Sequence, residues 1–213
     1  MTVSIMNASK NIKGSKILEN ITLEFNSGKV YGLEGPNGSG KTMLLRLIAG
    51  LIRPTEGEVL VDGKRLGKDL DFPENMGLLI ETPAFLPEHT GYKNLQFLAD
   101  IQKKITSADM EAALMEVGLG PQDVRPFRKY SLGMKQRLGI AAAIMEKPEL
   151  LLLDEPTNSL DKAGVEEITQ LILRQKSRGA LLVVASHDRE FLQAVSDEVY
   201  TVSEGHVQRK EAT

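Results

Sequence analysis

Leu150-Leu151-Leu152-Leu153 is an unbroken apolar run that stops at Asp154-Glu155, and Ala180 to Ala185 repeats the form before Ser186-His187-Asp188. Runs this short and this apolar predict strands inside a sheet rather than on a one-sided one. Met76 to Ile80 predicts another strand, ending at Glu81, and Lys29 to Glu34 a shorter one. Ile17 to Phe25 alternates imperfectly before the turn Asn26-Ser27-Gly28, so residues 1 to 33 read as strands and turns. Pro54, Gly57 and Gly63 punctuate further short β segments, among them Glu58 to Val61.

Helical patterns fill the rest. Met43 to Ala49 predicts a helix closed by Gly50. From Gly91 to about Met145 the chain reads mainly as helices. Thr106-Ser107-Ala108-Asp109 has the form of a capping box, and Gly118 closes the helix behind it. Ser131 is a plausible cap for a helix with Leu138, Ile140, Ala141, Ile144 and Met145 on its apolar positions, and Pro148 marks its end. A further helix runs from Asn158-Ser159-Leu160-Asp161 to Ser177-Arg178-Gly179. The charged last dozen residues are expected to be a surface tail. No repeat or low-complexity linker divides the chain. One domain is expected over residues 1–213, with a helical subdomain (about 83–146) inserted in an α/β core.

Composition narrows the function classes. The 213 residues are 41% hydrophobic, enough for one good core. A net charge of −3 offers no footprint for nucleic acid. Cysteine is absent, which excludes disulfides and thiolate metal sites and suits a reducing compartment. The first residues lack the form of a signal peptide, and no apolar run approaches the ~18 residues of a membrane helix. The expectation is a soluble protein whose membrane role, if it has one, comes through a partner.

The chemistry centres on Gly35-Pro36-Asn37-Gly38-Ser39-Gly40-Lys41-Thr42, which fits the phosphate-binding loop between a strand and a helix. Glycines let backbone N–H groups turn around phosphate oxygens, and the helix N-terminus adds positive charge there. Lys41 can reach the β- and γ-phosphates, and Thr42 can offer its hydroxyl to Mg²⁺. Asp154 and Glu155 end a buried strand, where open α/β sheets bind ligands. Asp154 suits Mg²⁺, and Glu155 suits polarisation of an attacking water. Solvated strand-end carboxylates are the bland alternative. His187 stands at a matching strand end, able to donate to a γ-phosphate or orient water. Ser131 is either a simple helix cap or, with Gly133 and the helix N-terminus, a second anion site. His89 and His206 receive no role.

Taken together, these segments resemble the nucleotide-binding subunits of ATP-binding-cassette transporters, over essentially the whole chain. The phosphate loop is Gly35 to Thr42, and the signature segment is Tyr130-Ser131-Leu132-Gly133-Met134, followed by Lys135-Gln136-Arg137. The Asp-Glu pair is Asp154-Glu155, the loop behind it ends at Asp161, and the switch histidine is His187. More narrowly, Leu79 to Phe85 and Tyr130 to Arg137 are similar to bacterial exporter ATPases of the bacitracin and lantibiotic self-protection type. The resemblance implies an α/β fold: a phosphate-loop NTPase core of mainly parallel sheet, an antiparallel β subdomain and an inserted helical subdomain. It implies ATP and Mg²⁺, with the nucleotide held by Gly35 to Thr42 and Met43 and hydrolysed with Lys41, Glu155 and His187. It further implies a head-to-tail homodimer, each ATP lying between one phosphate loop and Ser131 and Gly133 of the other copy, with Asp161 alongside. The dimer would drive a separate transmembrane permease from the cytoplasmic face of the membrane.

Three positions depart from the family pattern. The aromatic that stacks on adenine is matched by Ile12, and the Gln that approaches the metal is matched by Glu81. The signature keeps its hydroxyl and Gly133, but Tyr130, Leu132 and Met134 differ. The competing readings are a soluble cassette ATPase of DNA repair or cofactor assembly and a nucleotide binder without turnover. The repair type needs a long coiled coil, yet only 90 positions separate Lys41 from Ser131, without heptads. Glu155 and His187 argue against a binder without turnover.

Overall fold

A computed structural model describes residues 1–210. In chain order it contains β1 (Thr2–Ile12), β2 (Ser15–Asn26), β3 (Val30–Glu34), α1 (Lys41–Ile48), β4 (Glu56–Val61), β5 (Lys64–Arg65) and β6 (Met76–Leu79). Then follow α2 (Gly91–Gln102), α3 (Ser107–Glu116), α4 (Leu132–Ile144), β7 (Leu150–Asp154), α5 (Lys162–Ser177), β8 (Leu181–Ser186), α6 (Arg189–Val195), β9 (Glu198–Ser203) and β10 (His206–Arg209). The expected helical block from Gly91 onward is present, and so are the capping box at Thr106 and Asp109 and the Ser131 cap, whose Oγ accepts from the Met134 N–H.

Two sheets form. One is antiparallel, in the order β2-β1-β4-β5. The other runs β10-β9-β3-β8-β7-β6 and is parallel throughout except for the β9–β10 pair. This mixed α/β architecture agrees with the expected fold class. The apolar runs are explained by burial on both faces. Leu151, Leu153, Leu182 and Val184 face a core built with α2 to α6, whereas Leu150, Leu152, Leu181 and Val183 face α1 and the antiparallel sheet. At the sheet edge, α4 lies directly on β6. A Cβ on Gly77 would sit 1.9 Å from the Ala143 carbonyl oxygen, so only glycine permits that approach.

The terminus corrects one expectation. Residues 206 to 209 are a strand, not a surface tail: β10 covers the free edge of β9, Val207 packs on the core, and the Gly205 carbonyl accepts from the Glu19 N–H at 3.0 Å. Glu211 to Thr213 lie outside the described residues. Among the described residues no helix is long and apolar enough to cross a membrane.

Candidate functional site

β3 runs straight into the turn Gly35 to Gly40, and α1 begins at Lys41. A Cβ on Gly35 would lie 2.3 Å from the Val202 carbonyl oxygen, and Gly40 adopts φ 113, so both positions require glycine. No side chain caps α1, which leaves its first N–H groups directed at the groove in front of them. Lys41 is 5% exposed. Its Nζ donates to the Gly35 and Pro36 carbonyls at 2.6 and 3.1 Å and lies 3.6 Å from Glu155 Oε1.

The sheet order brings β7 beside β8, one strand away from β3, so the ends of these strands meet the loop. Thr42 Oγ1 donates to Asp154 Oδ2 at 2.6 Å. Burial raises the Asp154 carboxyl above its ordinary pKa; the Thr42 hydroxyl opposes this, and the neighbouring Glu155 charge adds to it. Glu155 turns out of β7 with φ 47, and its N–H donates to the Ala185 carbonyl at 2.8 Å. Glu155 Oε2 accepts from Ser186 Oγ at 3.1 Å and lies 2.9 Å from His187 Nδ1. Glu155 Oε1 is buried with no hydrogen-bond partner.

A groove of about 300 Å³ is lined by Ile17, Asn37, Gly38, Gly40, Lys41, Thr42, Met43, Asp154 and Glu155. A second cavity of about 340 Å³ shares Asp154 and Glu155 and adds Glu81, Leu132, Gln136, Asn158 and Ser159 among others. The two carboxylates therefore form a wall between them. A roomier cleft of about 920 Å³, beside Glu34, Arg189 and Lys210, touches neither. Among the described residues no three His, Cys, Asp or Glu side chains cluster as a metal cage. Mg²⁺ does not need one, because it usually keeps water and binds through one or two carboxylates plus phosphate oxygens. The Thr42–Asp154 pair has that donor character, and Glu155 Oε1 is a buried acceptor still free to bind.

The remaining predicted residues fall elsewhere. Ile12 ends β1 opposite Ser15 and does not line the groove; Ile17 does. Glu81 has φ 59 and accepts from Arg46 Nη2 at 2.6 Å, a partner that the sequence reading missed. Ser131 lines neither cavity. A Cβ on Gly133 would come 2.9 Å from the Ser159 carbonyl oxygen, so α4 starts against the loop behind Glu155. Asp161 caps α5, its Oδ1 accepting from the Gly164 N–H at 2.9 Å. Gln136 and Ser186, both hydrogen-bonded to Glu155, were also missed as site residues. Their only signal was adjacency to the signature segment and to His187.

A phosphate loop on a parallel sheet, facing the buried Asp154 with Glu155 beside it, defines a nucleotide-hydrolysing core. A family profile described as ABC transporter matches residues 18–158. The ABC transporter ATP-binding protein YybJ of Bacillus subtilis is 43% identical over 98% of this chain and 96% of its own length. The bacitracin transport ATP-binding protein BcrA of Enterococcus faecalis is 39% identical over 94% of this chain and 66% of its own. A solved structure of an ATP-binding subunit of an ABC transporter superimposes with a TM-score of 0.87, at 25% identity, over 99% of this chain and 90% of that one. The chain belongs to the ABC transporter family and is one of its ATP-binding, ATP-hydrolysing subunits.

Proposed function

We propose that this chain powers an exporter whose membrane-spanning part is a separate permease, and that two copies work head to tail on the cytoplasmic face of the membrane. The observation that carries the reading is the union of two chemistries in one groove: a phosphate cradle at Gly35 to Thr42 and a hydroxyl-carboxylate pair beside Glu155. Likeness to a bacitracin transport ATP-binding protein supports transport of a peptide-like cargo. The reading takes the chain as one nucleotide-binding domain with residues 83–146 as its helical subdomain.

The roles follow from charge and reach. The turn Gly35 to Gly40 and the first N–H groups of α1, up to Met43, hold the β- and γ-phosphates of ATP. Lys41 gives up its two carbonyl partners for them. Thr42 and Asp154 would hold Mg²⁺, with Glu81 within the same wall; the ion supplies positive charge on the phosphate oxygens. Glu155 accepts a proton from the attacking water, and His187, already against its carboxylate, orients that water or donates to the γ-phosphate. Ser131 and Gly133 cap the nucleotide of the partner copy, which fits their absence from the groove of their own chain. Asp161, as the cap of α5, keeps the intervening loop in shape, and Ile17, which lines the groove where Ile12 does not, would lie against the base.

Mixed dimers test the arrangement. One subunit with Ser131→Arg paired with one carrying Lys41→Ala should keep one complete composite site and close on one ATP, read as an ATP-held dimer by sizing chromatography. Both changes in one subunit should damage both sites. Equal amounts of ATP-held dimer from the two mixtures would rule out head-to-tail sharing.

A further inference from the structure

α4 does more than present Ser131 and Gly133. Gln136 stands five residues beyond Ser131, roughly 7.5 Å along the helix axis. It is 7% exposed, a buried polar side chain on a helix otherwise packed through Leu138, Ile140 and Ala141. Its Nε2 donates to the main-chain carbonyl of Glu155 at 2.9 Å. The same carbonyl accepts from the Asn158 N–H at 3.1 Å.

Glu155 needs such fastening. It is a non-glycine residue with φ 47, a conformation that persists only where the surroundings hold it. Its N–H is tied to β8 and its carboxylate to Ser186 and His187, also on the β8 side. Gln136 is the side chain that ties it to α4. The loop is pinned to the same helix a second time, where Gly133 closes on the Ser159 carbonyl. A shift of the α4 N-terminus is therefore delivered to the backbone of Glu155.

We propose that Gln136 is a positioning residue for Glu155, and that it makes proton abstraction at one nucleotide site depend on capture of nucleotide at the other. The inference rests on the head-to-tail reading above. When Ser131 and Gly133 take hold of the γ-phosphate bound by the partner, α4 is drawn toward it. Gln136 then carries the Glu155 carbonyl with it and sets the carboxylate for its own water. Without that hydrogen bond, Glu155 is still present and nucleotide still binds, but the two sites turn over independently.

The test compares wild-type homodimer with Gln136→Met, which removes the amide at similar volume, and Gln136→Glu, which keeps the shape but withdraws the donor at neutral pH. Initial rates of phosphate release are measured across ATP concentrations with Mg²⁺, alongside calorimetric ATP affinity and thermal unfolding. Expected results are a cooperative wild type and variants with kcat at least about tenfold lower, ATP Kd within about twofold and a Hill coefficient near one. Gln136→Glu carries the test if the methionine variant does not fold. Wild-type kcat with retained cooperativity, parallel loss of affinity and rate, or a non-cooperative wild type would each overturn the proposal. The mixed dimers of Ser131→Arg and Lys41→Ala, read by ATP-held dimer formation rather than by rate, serve as the separate control. If they fail to show sharing, the dimer reading fails; if they show it and the Gln136 variants remain cooperative, only this inference fails.

Discussion

Replacing Glu155 by Gln separates binding from turnover, and the geometry sets both signs. Glu155 Oε1 lies 3.6 Å from Lys41 Nζ, with the two side chains 15% and 5% exposed. Two unit charges at that distance interact by roughly 5 kcal/mol at an effective dielectric near 20. Desolvation of the pair cancels much of this, and Lys41 keeps its bonds to Gly35 and Pro36, so the variant should lose about 1–3 kcal/mol of stability without ligand. ATP reverses the balance. It brings phosphate charge toward the carboxylate and pulls Lys41 away from it, so the neutral amide should bind ATP more tightly, by about tenfold or ~1.4 kcal/mol. Turnover should fall ~10²–10⁴-fold, because a positioned base is lost. Thermal unfolding with and without Mg-ATP reads the first pair of effects: a lower Tm alone and a larger rise on adding ATP. Single-turnover phosphate release reads the last, and sizing chromatography should show an ATP-held dimer. Hydrolysis within threefold of wild type, or weaker ATP binding, would refute the assignment of Glu155 as the base facing the γ-phosphate.

Glu81→Gln should leave ATP binding without Mg²⁺ unchanged and raise the Mg²⁺ needed for half-maximal hydrolysis about tenfold, ~1.4 kcal/mol. The Arg46–Glu81 pair is exposed enough to be worth no more than ~1 kcal/mol, so it does not prevent Glu81 from turning to the metal; superimposable Mg²⁺ titrations would deny it that role. Glu34, just before the phosphate loop, has its pKa lowered by the Lys210 hydrogen bond first and by Arg189 as well, against the opposing effect of burial. A depressed folded-state pKa stabilises above the unfolded carboxylate value of about 4.3 and ceases to do so as pH falls through the folded value. Glu34→Gln should thus cost about 1–3 kcal/mol at pH 7, with the gap to wild type closing below about pH 4; urea unfolding across that range would show a constant gap if the pair were idle.

The phosphate loop was legible because it is one contiguous stretch whose glycines and helix start dictate their own backbone. The strand at Leu150 to Leu153 was legible because only double-sided burial tolerates four consecutive leucines, and the position of Asp154 and Glu155 followed from it. Resemblance supplied the partner-directed roles of Ser131 and Gly133, and the structure leaves both residues outside their own groove. Other relations needed the tertiary structure. Arg46 and Glu81 are 35 positions apart, and Gln136 and the Glu155 carbonyl are 19 apart. No local pattern marks either pair. They meet because β7 lies between β8 and β6, and because α4 is seated on β6 by Gly77. The exchange of Ile12 for Ile17 at the groove has the same origin, since the register of the β1–β2 hairpin decides which isoleucine overhangs the loop. The terminal strand β10 was hidden because its four residues carry almost no apolar pattern; what makes it a strand is the open edge of β9. Sequence determined which backbone segments could form and what chemistry they bear. The order of strands determined which of those chemistries share a wall, because hydrogen bonds and charges act over a few ångströms regardless of their separation along the chain.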